Sequence, residues 1–377
     1  MVQKSKKMIP IIKPDIDIKG SISEIKKVLE SGILTKGKNV LEFEKNFSDF
    51  LGVKYALTTT SATTALHMSL VALGVKQGDE ILVSDFTFPA TANVIIQTGA
   101  KPVLVDIDSS TYNINLNDLK NKITEKTKGI IVVDAFGYPV DIDKIRETVG
   151  KDLFILEDSA CAFGSIINKK KAGSNADISC FSFHPRKVLT TGEGGMIATN
   201  RKDLVDKILI LRNHGGILNA NGYYDFVEAG FNYRMTEIQA VLGINQLKNY
   251  KKILASRREK AKIYFKLLRK ISAISLINEE KNVFWNFQSF IVLLDEKIDR
   301  GEVVKEMRKR GIETILGTYA LHAQPLFRKY GYKAGDLFNS YKAFKQTLTL
   351  PLFDKLSEKE IKFIVENLSK VINNFSK

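Results

Sequence analysis

Lys187 stands in the stretch Phe181-Ser182-Phe183-His184-Pro185-Arg186-Lys187-Val188-Leu189-Thr190-Thr191-Gly192-Glu193-Gly194-Gly195, downstream of an aspartate that ends the apolar run Phe154-Ile155-Leu156-Glu157-Asp158. A primary amine among aromatic and hydroxyl residues can condense with an aldehyde. A carboxylate at a strand end can hold a protonated ring nitrogen. Spacing alone does not separate this reading from an ordinary surface lysine. A second feature is Thr58-Thr59-Thr60-Ser61-Ala62-Thr63-Thr64-Ala65-Leu66-His67, which joins a strand to a helix running to about Leu73. Free amide N–H groups and hydroxyls at a helix start suit a phosphate dianion. Plain N-capping would account for the same residues. Other chemistries find no support. His67, His184, His214 and His322 are scattered, with no HExxH pattern and no paired cysteines, so no metal centre is expected. Neither a GxSxG elbow nor a GxxxxGK[ST] loop occurs. Gly192-Glu193-Gly194-Gly195 opens like GxGxxG, but Ile197 takes the last glycine position and the stretch precedes a strand.

The elements that must position these residues show as apolar runs separated by helix-length segments. The runs are Tyr55 to Thr58, Ile81 to Ser84, Val103 to Asp106, Ile130 to Val133, Phe154 to Asp158, Ile178 to Phe183 and Met196 to Thr199. They lack polar alternation, as strands covered on both faces do, which predicts a mostly parallel sheet in an α/β domain. Ser84-Asp85, Asp106, Asp134 and Glu157-Asp158 fall at run ends, where open parallel sheets gather ligands. An N-terminal helix is marked by a capping-box pattern over Ser21 to Glu24 and closes at Ser31-Gly32. From about Lys248 the texture changes to a basic amphipathic helix (Lys251 to Lys270), a strand over Trp285 to Leu294, and helices near Val303 to Arg310 and Glu358 to Ile372. The expected division is a large α/β domain over residues 1–247, including the N-terminal segment, and a smaller α+β domain over 248–377.

The chain's 377 residues are 44% hydrophobic and 26% charged, an ordinary globular composition that excludes a disordered or fibrous protein. Lys+Arg 57 against Asp+Glu 42 gives a net charge of +15, spread along the chain. The run Lys251 to Lys270 holds nine basic residues and one acidic, Glu259, interleaved with apolar ones. It reads as a helix with a solvated face and not as a nucleic-acid contact. Two cysteines, Cys161 and Cys180, cannot build a disulfide framework and fit a reducing cytoplasm. The charged start, Met1 to Pro10, is followed by no apolar core, and no stretch approaches 18 apolar residues. Neither an export signal nor a membrane span is expected.

The Lys187 stretch resembles the signature of the DegT/DnrJ/StrS sugar aminotransferases, which are pyridoxal-phosphate enzymes of the aspartate-aminotransferase fold (fold type I). The resemblance extends to Ser31-Gly32-Ile33-Leu34-Thr35-Lys36-Gly37, Thr58 to His67, Phe86-Thr87-Phe88-Pro89-Ala90-Thr91-Ala92-Asn93, Glu157-Asp158-Ser159-Ala160 and Gly230 to Ala240. It implies that Lys187 holds the cofactor and shuttles a proton, while Asp158 faces the ring nitrogen. Phe88 would stack on the ring, unless it is a plain core aromatic. Ala62, Thr63 and Ser182 would hold the phosphate, and Asn232 would reach the phosphate of the neighbouring subunit in a homodimer with shared sites. Ala62 replaces a usual glycine, and so asks for a φ that alanine can adopt. Cys161 stands where relatives carry His or Gln beside the cofactor's 3-oxygen. Thr35, Lys36, Arg234 and His322 lie in segments that line the substrate site in relatives. The activity implied is transfer of an amino group, usually from glutamate, to a keto group of a nucleotide-linked sugar. A lyase or dehydratase acting on such a sugar is the nearest rival, but those relatives carry His in place of Lys187. A DNA-binding regulatory role, once assigned to some relatives, finds no helix-turn-helix or zinc module here.

Overall fold

The computed structural model describes residues 8–375, so residues 1–7 of the charged opening lie outside the described residues. All seven apolar runs become strands of one sheet. Across it, the strands begin at Tyr55, Gly195, Ile178, Phe154, Thr127, Glu80 and Lys101. Gly195–Thr199 alone is antiparallel to its neighbours. Phe154–Asp158 lies centrally, parallel to Thr127–Val133 on one side and Ile178–Ser182 on the other. Successive side chains go to opposite faces, and each face is covered. Ile81 and Val83 join the cluster around Leu66 of helix Ala62–Ala72. Leu82 joins the cluster around Ile145 of helix Ile142–Val149. That double burial is why the runs carry no polar alternation.

A helix of 32 residues, Glu237–Leu268, follows and runs unbroken across residues 247 and 248. Thr236 and Gln239 form its capping box, as their spacing predicts. Beyond it lies a second sheet, antiparallel throughout, in the order Ile274–Ser275, Phe290–Leu294, Thr347–Leu350, Ile315–Leu316. Helices Arg300–Lys309 and Glu358–Asn373 pack on it through Val303, Met307, Ile361, Ile364 and Leu368. The N-terminal stretch is tied to this same part of the chain. Ile9 bridges Ile312, and the Ile11 N–H donates to Glu313 at 2.8 Å.

Three local expectations are corrected. The N-terminal helix starts at Ile18 because Asp17 caps it, accepting the Gly20 N–H, and this leaves Ser21 buried inside the helix. The strand expected over Trp285 to Leu294 is limited to Phe290–Leu294, since Asn286 and Gln288 turn their side chains toward loops of the large sheet. Arg257, read as part of a solvated face, is buried. Its guanidinium donates to the carbonyls of Phe287, Gln288 and Leu352, and burial lowers its pKa to about 10.

Candidate active site

The carboxyl ends of Thr127–Val133 and Phe154–Asp158 and the turn after Ile178–Ser182 open into one cavity of about 630 Å³. That size suits a cofactor with part of a substrate. One corner is the start of helix Ala62–Ala72. Ser61 and Thr64 cap it reciprocally, so Ser61 Oγ takes the Thr64 N–H. The N–H groups of Ala62 and Thr63 precede the first helical turn's acceptors and have no intrahelical partner. Both residues line the cavity, and so does Ser182 from the neighbouring strand end. Ala62 takes an ordinary helical φ, so the missing glycine imposes no strain. Gly195 is the glycine this corner needs: a Cβ there would lie 2.5 Å from the Ser61 carbonyl carbon and oxygen. The corner thus offers helix-start amides and a hydroxyl to an anion.

Asp158 closes the deep end. Burial pushes its carboxyl above the usual range, while the Thr91 hydroxyl, the Ala160 N–H and the Lys187 charge pull it back. Thr91 Oγ1 donates to Oδ2 at 2.8 Å and Ala160 N to Oδ1 at 3.2 Å. A buried carboxylate with few partners is stabilised by a cation, so the deep end fits a protonated ring nitrogen.

Lys187 is half-buried, and its Nζ donates to Cys161 Sγ at 3.0 Å. Its turn is fixed from the C-terminal part of the chain. Gln288 accepts the Val188 N–H at 3.0 Å and donates to the Arg186 carbonyl at 2.6 Å, bracketing Lys187 on both sides. Arg257 holds the Gln288 carbonyl in turn. Phe88 is 65% exposed and lines the cavity, with its ring edge-on to Tyr319 at 6.5 Å, so it is no core aromatic. Amine, carboxylate, anion corner and exposed ring therefore share one cavity, and these residues fit pyridoxal phosphate.

The remaining expected residues lie elsewhere. Thr35 bridges Thr236, and Asn232 bridges Asn213. Lys36 Nζ and Arg234 both donate to Asn213 Oδ1, at 2.6 and 3.1 Å. These four form a second group outside the cavity. It adjoins a hairpin, Gly216–Leu218 with Tyr224–Phe226, where Lys36 also lies over the Tyr224 ring. His322 is fully buried: Nδ1 is 2.6 Å from Asp85 Oδ2 and Nε2 accepts the Gly335 N–H. It does not line this cavity. Thr91, Gln288 and Arg257 were missed. Thr87 and Thr91, four apart at a helix start, were a usable signal; the other two act across the chain and leave none.

The profile of the DegT/DnrJ/EryC1/StrS aminotransferase family matches residues 15–369. GDP-perosamine synthase of Escherichia coli O157:H7 is 35% identical over 369 residues, covering 97% of this chain and 98% of that one. A UDP-4-amino-4,6-dideoxy-N-acetyl-beta-L-altrosamine transaminase of Campylobacter jejuni is 32% identical over 366 residues, covering 94% and 96%. Among solved structures, a Streptococcus pneumoniae protein described as a sugar aminotransferase, in its PLP form, superposes with a TM-score of 0.91. The two are 30% identical, with 98% of this chain and 99% of that one covered. Sequence and fold agree over nearly the whole length, and the chain belongs to the DegT/DnrJ/EryC1/StrS aminotransferase family.

Proposed function

We propose that this protein is a pyridoxal-phosphate aminotransferase that moves an amino group from an amino acid, glutamate in our reading, to a keto group of a nucleotide-linked sugar. The observation that carries this is the convergence of Lys187, Asp158 and the Ser61–Thr63 helix start on one cavity. Relatives named for GDP- and UDP-linked amino sugars support the substrate class without choosing the base. When bound, pyridoxal phosphate supplies an aldehyde carbon that takes up the amine and a ring that draws off electron density. Asp158 would keep the ring nitrogen protonated, and Phe88 would cover one ring face. Ala62, Thr63 and Ser182 would hold the phosphate, and Cys161 would sit beside the ring oxygen. Lys187 Nζ, whose hydrogen-bond partner is Cys161 Sγ, would take up and return one proton. Because one cavity serves both substrates, the donor's keto acid leaves before the sugar enters.

The second group belongs to this reading through a partner copy. Ile217, Leu218, Tyr223, Tyr224 and Phe226 on the hairpin are exposed, as are Ile33 and Leu34 in the segment that leads to Lys36. A two-stranded hairpin exposed in this way is marginal alone and calls for a covering surface. We assign that surface to a second copy, with Asn232 reaching the partner's phosphate corner and Thr35, Lys36 and Arg234 facing its substrate. Among the described residues no helix is long and apolar enough to cross a membrane, and we place the enzyme in the cytoplasm. The test is incubation with cofactor, glutamate and nucleotide sugars carrying a keto group at different ring carbons, followed by mass analysis. An aminated sugar is expected; its absence across the whole panel overturns the reading.

A further inference from the structure

Thr87 and Thr91 are both buried, and neither takes part in the chemistry described above. Their hydroxyl oxygens are 3.1 Å apart. A hydroxyl has one proton to donate. Thr91 gives its proton to Asp158 Oδ2 at 2.8 Å, so it must accept from Thr87. The chain therefore has one direction: Thr87 to Thr91 to Asp158. That direction matches an ionised carboxylate, since a proton on Oδ2 would compete with the Thr91 hydroxyl and turn the chain round. Hydrogen bonds to the charged form oppose the effect of burial.

We propose that Thr91, oriented by Thr87, is a positioning residue that keeps Asp158 ionised and fixes its rotation toward the ring nitrogen. The inference rests on the role given to Asp158 above. The far end of the relay is anchored by the C-terminal part of the chain. Thr87 pairs with Tyr319 in a two-stranded ladder. Asp85, two residues earlier, accepts the His322 N–H at 2.7 Å and contacts its ring at 2.6 Å. Thr91 itself is seated at the start of helix Ala90–Gln97, its N–H bonded to the Phe88 carbonyl at 3.2 Å. Its γ-methyl limits χ1 to few wells, so the hydroxyl is aimed as well as present. This also gives His322 a place in the function without any contact to substrate.

The test compares Thr91→Val, Thr91→Ser, Thr87→Val and Asp158→Asn as cofactor-loaded proteins. The cofactor carries a heavy nitrogen isotope in its ring, so magnetic resonance reports ring protonation directly. Thr91→Val keeps the shape and removes the donor. It is expected to move the ring-nitrogen signal toward the Asp158→Asn position and to slow turnover about 10- to 100-fold, the effect of one hydrogen bond to a charged group. Thr91→Ser should keep the wild-type signal, and Thr87→Val, one bond further out, should shift it less. A wild-type signal in Thr91→Val overturns the proposal, and so does a Thr91→Ser shift as large as that of Thr91→Val. If Thr91→Val fails to fold, the Thr87→Val signal decides: unchanged, it overturns the relay. An unchanged signal in Asp158→Asn removes the reading of Asp158 itself, which separates the two failures.

Discussion

Asp85, Asp134, Glu157 and Asp158 stand at the ends of adjacent strands, all buried, and burial is the largest cause raising the pKa of each. Asp134 is raised well above the usual carboxyl range, by burial first and by the neighbouring Glu157 second. Its Oδ1 accepts the Val140 N–H, while Oδ2 lacks a partner of good geometry. A carboxyl raised in this way binds its proton more tightly when folded. Its contribution to stability is complete below the usual carboxyl pKa of about 4 and is lost as pH climbs through the raised value. Asp134→Asn cannot titrate and still offers a donor toward Glu157. Thermal melts of the cofactor-free protein should therefore show Asp134→Asn gaining on the wild type as pH rises from mildly acidic to mildly alkaline. A constant difference between the two across that range would show that Asp134 does not hold its proton. Single residues were partly legible in the sequence. Lys187 and Asp158 stood in motifs, whereas His322 was placed only by its segment, and its ring turns out to be bonded inside the chain to Asp85 and Gly335. A motif names the residue but does not say which way its side chain points.

At the scale of elements, the catalytic turn is held by something no local pattern announces. Gln288 lies in the stretch that was read as strand, yet its amide spans the backbone on both sides of Lys187. Helix Glu237–Leu268 supplies Arg257 to hold the Gln288 carbonyl from behind. Gln288→Leu leaves the buried Val188 N–H without a partner, at about 1–3 kcal/mol, and leaves the carbonyl of exposed Arg186 to water. Denaturant titration should register a loss of about 1–3 kcal/mol, and turnover should fall as Lys187 loses its fixed position. Stability unchanged within about 0.5 kcal/mol would show that water replaces both bonds. The strands and the main helices were readable because double burial and capping are local, periodic signals. Asp17 overruled the Ser21 cap because a carboxylate nearer the helix start takes the first free N–H. The Gln288 contacts reach 100 and 102 residues back along the chain, the Arg257 contact with Gln288 spans 31, and no periodicity encodes such pairs.

For the whole molecule, the expected residues divide into two groups, and our proposal is that each complete site draws on two chains. Mixing Lys187→Ala with Asn232→Ala chains tests it. If the sites are shared, a hybrid dimer holds one site with both lesions and one with neither, so activity returns. If Asn232 acts within its own chain, every site keeps one lesion and mixing restores nothing; a fully active Asn232→Ala parent would remove Asn232 from the site. The central claim is that Lys187 holds the cofactor. Borohydride reduction of the loaded protein, followed by digestion and peptide mass mapping, addresses it most directly. The expected result is one pyridoxyl group, on Lys187, and none in Lys187→Ala. Attachment to another lysine, or tight cofactor binding with no reducible attachment, would contradict it.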